Sequence, residues 1–290
     1  MAIILMLWAS ACLATMSALI KYLDSTLPIT ELMFLRCIIA VPFLIAILIR
    51  KKKPLLVTAR KTLLIRSLFG TFAMYCFYYA LANLPLADCI FIGRTQPLIL
   101  ALLAPLVIGE KAPRTAWISI GFGLVGAACV INPTMTLSKG AWAAFFGACS
   151  AAMAHLLIRR LNRTDDPAVI VFNFTLLLSI YSGMAALHNF TPPSASQWLV
   201  ICAISGLASG GQYLLTKAYS LDRAPLVAAA SYSSVILSII YGYFFWGEKV
   251  SSLSLFGGLL IIIGGIILFL PSFKNSRSSF NTDKLEAQKK

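Results

Sequence analysis

Apolar runs of about 20 residues succeed one another along nearly the whole chain, broken by short segments where proline, glycine and basic residues gather. Setting the runs against these breakers predicts helices over 2–22, 29–49, 64–82, 86–108, 115–131, 140–161, 167–187, 198–219, 224–246 and 253–270. Runs of this length can cross a hydrocarbon core of roughly 30 Å, and little sequence remains for anything outside a bilayer. The expected fold is an all-α polytopic membrane protein with ten transmembrane helices. The first run has no basic leader and no small-x-small cleavage signature, so it reads as a retained helix rather than a signal peptide.

Composition points the same way. Of 290 residues, 59% are hydrophobic and 12% charged, with a mean hydropathy of +0.86, values that exclude a water-soluble domain. The formal charge of +14 takes its meaning from where the cations fall. With the amino terminus inside, 19 of the 24 Lys and Arg lie in cytoplasmic loops or the tail, including seven from Arg50 to Arg66, while only Lys21, Lys139 and Lys249 lie outside. Cations are retained on the cytoplasmic side of short loops. The chain is therefore expected in the inner cell membrane, multi-pass, with both termini cytoplasmic. The basic excess is then a topological signal, with the lipid bilayer as partner and no nucleic acid. Residues 272–290 form a polar cytoplasmic tail expected to be disordered. The seven cysteines sit in apolar runs without a CxxC pair and read as small buried hydrophobes, so neither a metal nor another cofactor is expected.

Sliding the chain over itself by 138 residues brings Lys21 onto Arg159, Ala80 onto Ala218, Gly-Glu-Lys 109–111 onto 247–249, Gly126 onto Gly264 and Pro133 onto Pro271. Two homologous halves, 1–134 and 138–271, explain the register. Five helices per half is an odd number, so the second copy starts from the opposite face and lies inverted. Inverted repeats enclose a midplane site that can open to either side, which is the architecture of secondary carriers. A duplicated membrane scaffold without transport is the bland alternative.

The segment 31–40 (ELMFLRCIIA), the block 79–111 ending in Gly-Glu-Lys and the glycine-rich 121–130 resemble the EamA family of the drug and metabolite transporter superfamily. Weaker counterparts at 218–249 and 257–267 extend the resemblance over nearly the whole chain as two EamA-like units. It implies a ten-helix basket around a central cavity, and a family whose members export amino acids or take up metabolites such as riboflavin or S-adenosylmethionine. One departure is visible: Pro97 in the fourth run corresponds to Val235 in the ninth, so the second half lacks a kink common in the family.

Arg94 lies deep in the fourth run, where an ionisable group costs at least about 2.5 kcal/mol unless it faces a partner or a wet cavity. A substrate anion is one candidate partner; Asp88 or backbone carbonyls are others. The same offset relates Arg94 to Tyr232 and Tyr75 to Tyr213, and Gln212 precedes Tyr213. Arg94, Tyr232, Tyr75, Tyr213 and Gln212 are the expected substrate-binding set, with simple packing as the alternative for each tyrosine. Arg36 and Glu31 are expected to form a structural charge pair. His155 is the candidate for proton coupling, because its reference pKa of about 6.5 lies closest to neutrality, and a helix-contact residue is the alternative. Glu110 and Glu248 close helices beside glycine and read as caps or loop anchors.

The expected function is secondary transport of a small polar organic metabolite by alternating access. Amino-acid-like, S-adenosylmethionine-like and carboxylate-bearing solutes all fit. No Walker sequence is present, so a gradient or exchange supplies the energy. Export of aromatic or amphipathic compounds, or a riboflavin-type carrier, are alternatives. An intramembrane lipid-modifying enzyme is more remote, since it would gather acids or histidines near one interface and here they are scattered. Direction, coupling ion and oligomeric state, a homodimer included, stay open.

Overall fold

In hydrocarbon, every backbone N–H and C=O must find a partner within its own segment, which leaves the helix as the solution for apolar runs of this length. The computed structural model describes residues 1–23, 26–108, 114–131, 138–187, 190–221, 231 and 233–267. Regular structure among these residues is helical: α1 (Ala2–Leu23), α2 (Ile29–Arg50), α3 (Arg60–Asn83), α4 (Leu86–Gly93), α5 (Gln96–Ile108), α6 (Arg114–Ile131), α7 (Lys139–Leu161), α8 (Pro167–Ala186), α9 (Ala195–Leu221), α10 (Ser233–Trp246) and α11 (Ser252–Ile267). Six of them, α1, α2, α3, α7, α8 and α9, are long and apolar enough to cross a membrane.

Local signals set the boundaries. Asp166 caps α8, accepting from Ala168 N at 2.9 Å, and Pro167 takes the first helical position, where its missing N–H costs nothing. At the end of α10, Gly247 adopts φ +63°, a left-handed conformation that glycine reaches without strain. The turn brings Glu248 N within 3.0 Å of Gly242 O and swings the Glu248 side chain back along the helix.

The predicted fourth helix is broken. Pro97 has no N–H to offer, and its ring crowds the carbonyl four residues back, that of Gly93. Arg94 N reaches Ile90 O and Phe91 O, both at 3.0 Å, and Thr95 N reaches Ile92 O at 3.0 Å. Regular bonding resumes at Ile99 N to Thr95 O, 3.1 Å. Arg94 therefore stands between α4 and α5. A second difference from expectation concerns α3, which starts at Arg60 and carries Arg66 inside the bundle rather than in the basic loop.

The bundle is built from three long pairings, α1 on α9, α2 on α8 and α3 on α7. The offset of 138 residues carries α1 onto α7, α2 onto α8 and α3 onto α9, so it exchanges the first and third pairings and leaves the second in place. The crossing of α6 and α11 behaves likewise. A Cβ on Gly126 would stand 2.5 Å from Gly257 O, and one on Gly264 would stand 2.7 Å from Ser119 O. The offset turns one of these contacts into the other.

At one end, the connection after α2 docks on the connection before α8. Lys53 Nζ lies 3.1 Å from Asp166 Oδ2, Thr58 N donates to Asp165 Oδ1 at 2.8 Å, and Asn173 Nδ2 donates to Leu55 O at 2.7 Å. Burial pushes the Asp165 carboxyl up, but hydrogen bonds from Thr58 and Thr164 outweigh it and hold the group below the usual range. Asp166 is lowered too: burial opposes, while the Ala168 N–H and the Lys53 ammonium prevail. At the other end, Lys21 Nζ pairs with Glu248 Oε1 and also donates to Leu84 O at 2.5 Å.

Candidate functional site

A cavity of about 230 Å³ lies between α1, α3, α7, α9 and the α4–α5 break. Its walls are apolar and small, from Leu13, Met74, Phe77, Ile90 and Phe174 to a run of alanines on α7, and the polar groups among them are few. These are Ser17, Arg66, Arg94, Gln96, His155, Gln212 and Ser234. A mostly apolar hollow with a small number of placed polar groups is the usual form of a small-molecule site.

The helix break aims Arg94 inward. Its Nη1 donates to Ser231 Oγ at 3.0 Å and its Nη2 donates to Ser234 Oγ, so the start of α10 holds the guanidinium from across the cavity. Gln96, first residue of α5, puts Nε2 at 2.7 Å from His155 Nδ1. Either the amide donates to a bare ring nitrogen or, with the amide turned over, Nδ1–H donates to its oxygen.

Arg66 was counted in the sequence among the loop cations; packing makes it a cavity residue. It is 3% exposed, and its guanidinium lies 3.4 Å from the centre of the Phe174 ring. Neither its Nε nor its Nη1 has a hydrogen-bond partner.

Of the expected substrate-binding residues, the structure brings Arg94 and Gln212 to this cavity, together with the coupling candidate His155. The two described tyrosines are not part of its lining. Tyr75 is 44% exposed on the outer face of α3. Tyr213 accepts from Lys51 Nζ at 2.8 Å, with the ammonium 4.8 Å from its ring centre. Tyr232 lies outside the described residues. The expected pairing of Arg36 with Glu31 is not formed. Glu31 is fully buried and accepts from Thr191 N at 3.0 Å, while Arg36 lies 5.6 Å from the centre of the Tyr78 ring. Arg36 also lines a smaller hollow of about 40 Å³ that shares Met74, Phe174 and Gln212 with the main cavity. Glu248 accepts from Leu86 N at 2.8 Å as well as from Lys21, and Glu110 lies outside the described residues. The described residues form no cluster of three or more metal-ligating side chains.

The lining has an internal order. Leu13 and Ala151, Met16 and Ala154, Ser17 and His155, Met74 and Gln212, Gln96 and Ser234 all face the cavity, and the members of each pair are 138 residues apart.

Apolar helices around a polar-studded hollow are matched by the comparisons with known proteins. The EamA-like transporter family matches residues 1–132 and again 138–270. The chain belongs to this family. A pseudopaline exporter of Pseudomonas aeruginosa is 28% identical over 269 residues, covering 92% of this chain and 95% of that one. An S-adenosylmethionine uptake transporter of Rickettsia prowazekii is 24% identical over 261 residues, covering 89% and 88%. A solved crystal structure superposes with a TM-score of 0.60 at 20% identity, over 94% of this chain and 95% of that one, and shares the fold. This EamA-like protein is a multi-pass membrane transporter.

Proposed function

We propose that this EamA-like transporter is a secondary carrier that moves a small polar organic metabolite across the inner membrane by alternating access, with Arg94, Gln96 and Gln212 as substrate contacts. In this reading the chain crosses the membrane ten times, with both termini inside, as two inverted halves of five helices.

The observation that carries the proposal is the set of lining pairs. Five pairs separated by a single offset face one cavity, which is what a two-fold axis in the membrane plane would produce. The exchange of the α1–α9 and α3–α7 pairings, and of the two glycine contacts between α6 and α11, supports the same axis. Two halves related in this way can trade conformations, and the trade turns an inward-open cavity into an outward-open one. Discontinuous helices at such a site are a recurrent device of carriers, and the break at Arg94 supports that role. Relatives named as an exporter and as an uptake transporter are compatible with either direction. The enzyme reading gains little, since the described lining offers one histidine and no carboxylate.

The test is uptake of labelled candidate metabolites into proteoliposomes, chosen from solutes that change in cells with and without the protein. Arg94→Ala is expected to lower uptake by at least about tenfold, as expected for loss of a charged contact inside the membrane. Wild-type uptake by that variant would refute the assigned site.

A further inference from the structure

The ion pair of Lys21 with Glu248 stands one helical turn from the cavity. Lys21 is four residues beyond Ser17 on α1, and Leu86, whose N–H also bonds Glu248, is four residues before Ile90 on α4. Residues four apart share a helix face and lie about 6 Å apart along the axis. Ser17 and Ile90 line the cavity, while Lys21, Leu84, Leu86, Trp246 and Glu248 do not. At the end of the bundle away from the basic loops, the hollow therefore stops where these residues begin.

Two glycines put Glu248 in place. Gly247 takes the left-handed φ of +63° that turns the chain back after α10. Gly242 leaves the room, since a Cβ on it would stand 2.7 Å from Glu248 Oε2. The carboxylate so placed accepts from Lys21 Nζ at 2.5 Å and from Leu86 N at 2.8 Å. Lys21 in turn donates to Leu84 O and lies 5.7 Å from the centre of the Trp246 ring. Both bonds to Glu248 join an element of residues 1–134 to the turn after α10, and so tie one half of the chain to the other. The side chains of Lys21 and Glu248 are 13% and 16% exposed. At that exposure the pair fills the way out of the cavity, yet its charges pass into water rather than hydrocarbon when it parts. Such a pair separates at lower cost than a fully buried one.

We propose that Lys21 and Glu248, with the Leu86 N–H, form the outer gate of the transport cavity: the pair is closed in this structure and parts each time the cavity faces outward. This rests on the reading of the cavity as a site of alternating access, and it adds residues that govern which side the cavity faces. An interaction made in only one of two states biases the balance between them, so removing it favours the outward-facing state.

The experiment is labelling of Ala148→Cys, a cavity residue, by a membrane-impermeant maleimide in right-side-out and in inside-out vesicles, with the seven native cysteines replaced. Glu248→Gln, Lys21→Gln and Gly242→Ala are each added to this parent. Each is expected to raise the labelling rate in right-side-out vesicles by about threefold or more and to leave the inside-out rate unchanged or lower it. Gly242→Ala displaces the carboxylate without removing a charge, and Lys21→Gln leaves Glu248 on Leu86 N, so either decides the matter if Glu248→Gln does not fold. The double exchange Lys21→Glu with Glu248→Lys should bring both rates back toward the parent's. Where the parent labels from both faces, an unchanged right-side-out rate in the variants, or an equal rise from both faces as loosened packing would give, overturns the gate and leaves the cavity reading standing. Labelling from neither face, or from the same single face in parent and variants alike, removes alternating access through this cavity and the gate with it.

Discussion

Lys21 Nζ stands 2.5 Å from Glu248 Oε1, tying the end of α1 to the turn after α10 at the face of the bundle away from the basic loops. Both side chains are largely shielded, and Glu248 also receives Leu86 N–H at 2.8 Å, so three segments meet on one carboxylate. Glu248→Gln is expected to lower stability by roughly 1–3 kcal/mol, because a charged partner is removed and another left behind. Lys21→Glu should do similar harm alone, and the double exchange Lys21→Glu with Glu248→Lys should recover part of it. Thermal unfolding of the purified variants measures this coupling, and losses that simply add would contradict the pair.

The crossing of α6 and α11 makes a paired prediction. Gly126→Val and Gly264→Val each push a side chain into a facing carbonyl, 2.5 Å and 2.7 Å from where a Cβ would sit. Overpacking of this kind costs roughly 1–3 kcal/mol, and the two variants should lose similar amounts in the same unfolding assay. A large loss from one and none from the other would contradict a two-fold relation between the halves.

At the opposite end, Asp165 and Asp166 should give the fold a pH dependence. Both carboxyls are held below their ordinary value, so their contribution is present above about pH 3.9 and disappears as pH falls through the lower folded-state values. Asp166→Ala is expected to cost about 1 kcal/mol near neutrality through loss of the α8 cap, and to shrink the acid-induced drop in melting temperature. Unchanged stability at neutral pH would remove the cap from the account.

His155 separates proton coupling from solute binding. His155→Gln can still hydrogen-bond Gln96 but cannot titrate near neutrality. If His155 carries the coupling proton, uptake driven by a pH gradient is lost in this variant while exchange of labelled for unlabelled solute continues. A full response to the gradient would exclude His155 from coupling.

Much of this arrangement is legible in the sequence, and the failures have simple geometric causes. Apolar length gives the long helices, and the 138-residue offset relates their packing. Residue depth follows from the offset too, but rotation about a helix axis does not. Successive helical residues point about 100° apart, so Met74 and Gln212 face the cavity while their neighbours Tyr75 and Tyr213 do not. Arg66 was hidden for a different reason. It follows Arg60 and Lys61 at the edge of a basic loop, where cations ordinarily report orientation, and only its stacking on the distant Phe174 shows that it turns inward. Glu31 and Arg36 are close along α2, yet each finds its contact on another helix or loop, which spacing alone cannot reveal.

The central claim is a cavity that opens in turn to the two sides of the membrane. Ala148 on α7 lines it and is almost fully buried, so a single cysteine there, in a background without the seven native ones, reports access directly. A membrane-impermeant maleimide should label Ala148→Cys both in right-side-out and in inside-out vesicles, and a transported solute should slow the reaction. Labelling from one face only, or from neither, would contradict alternating access through this site.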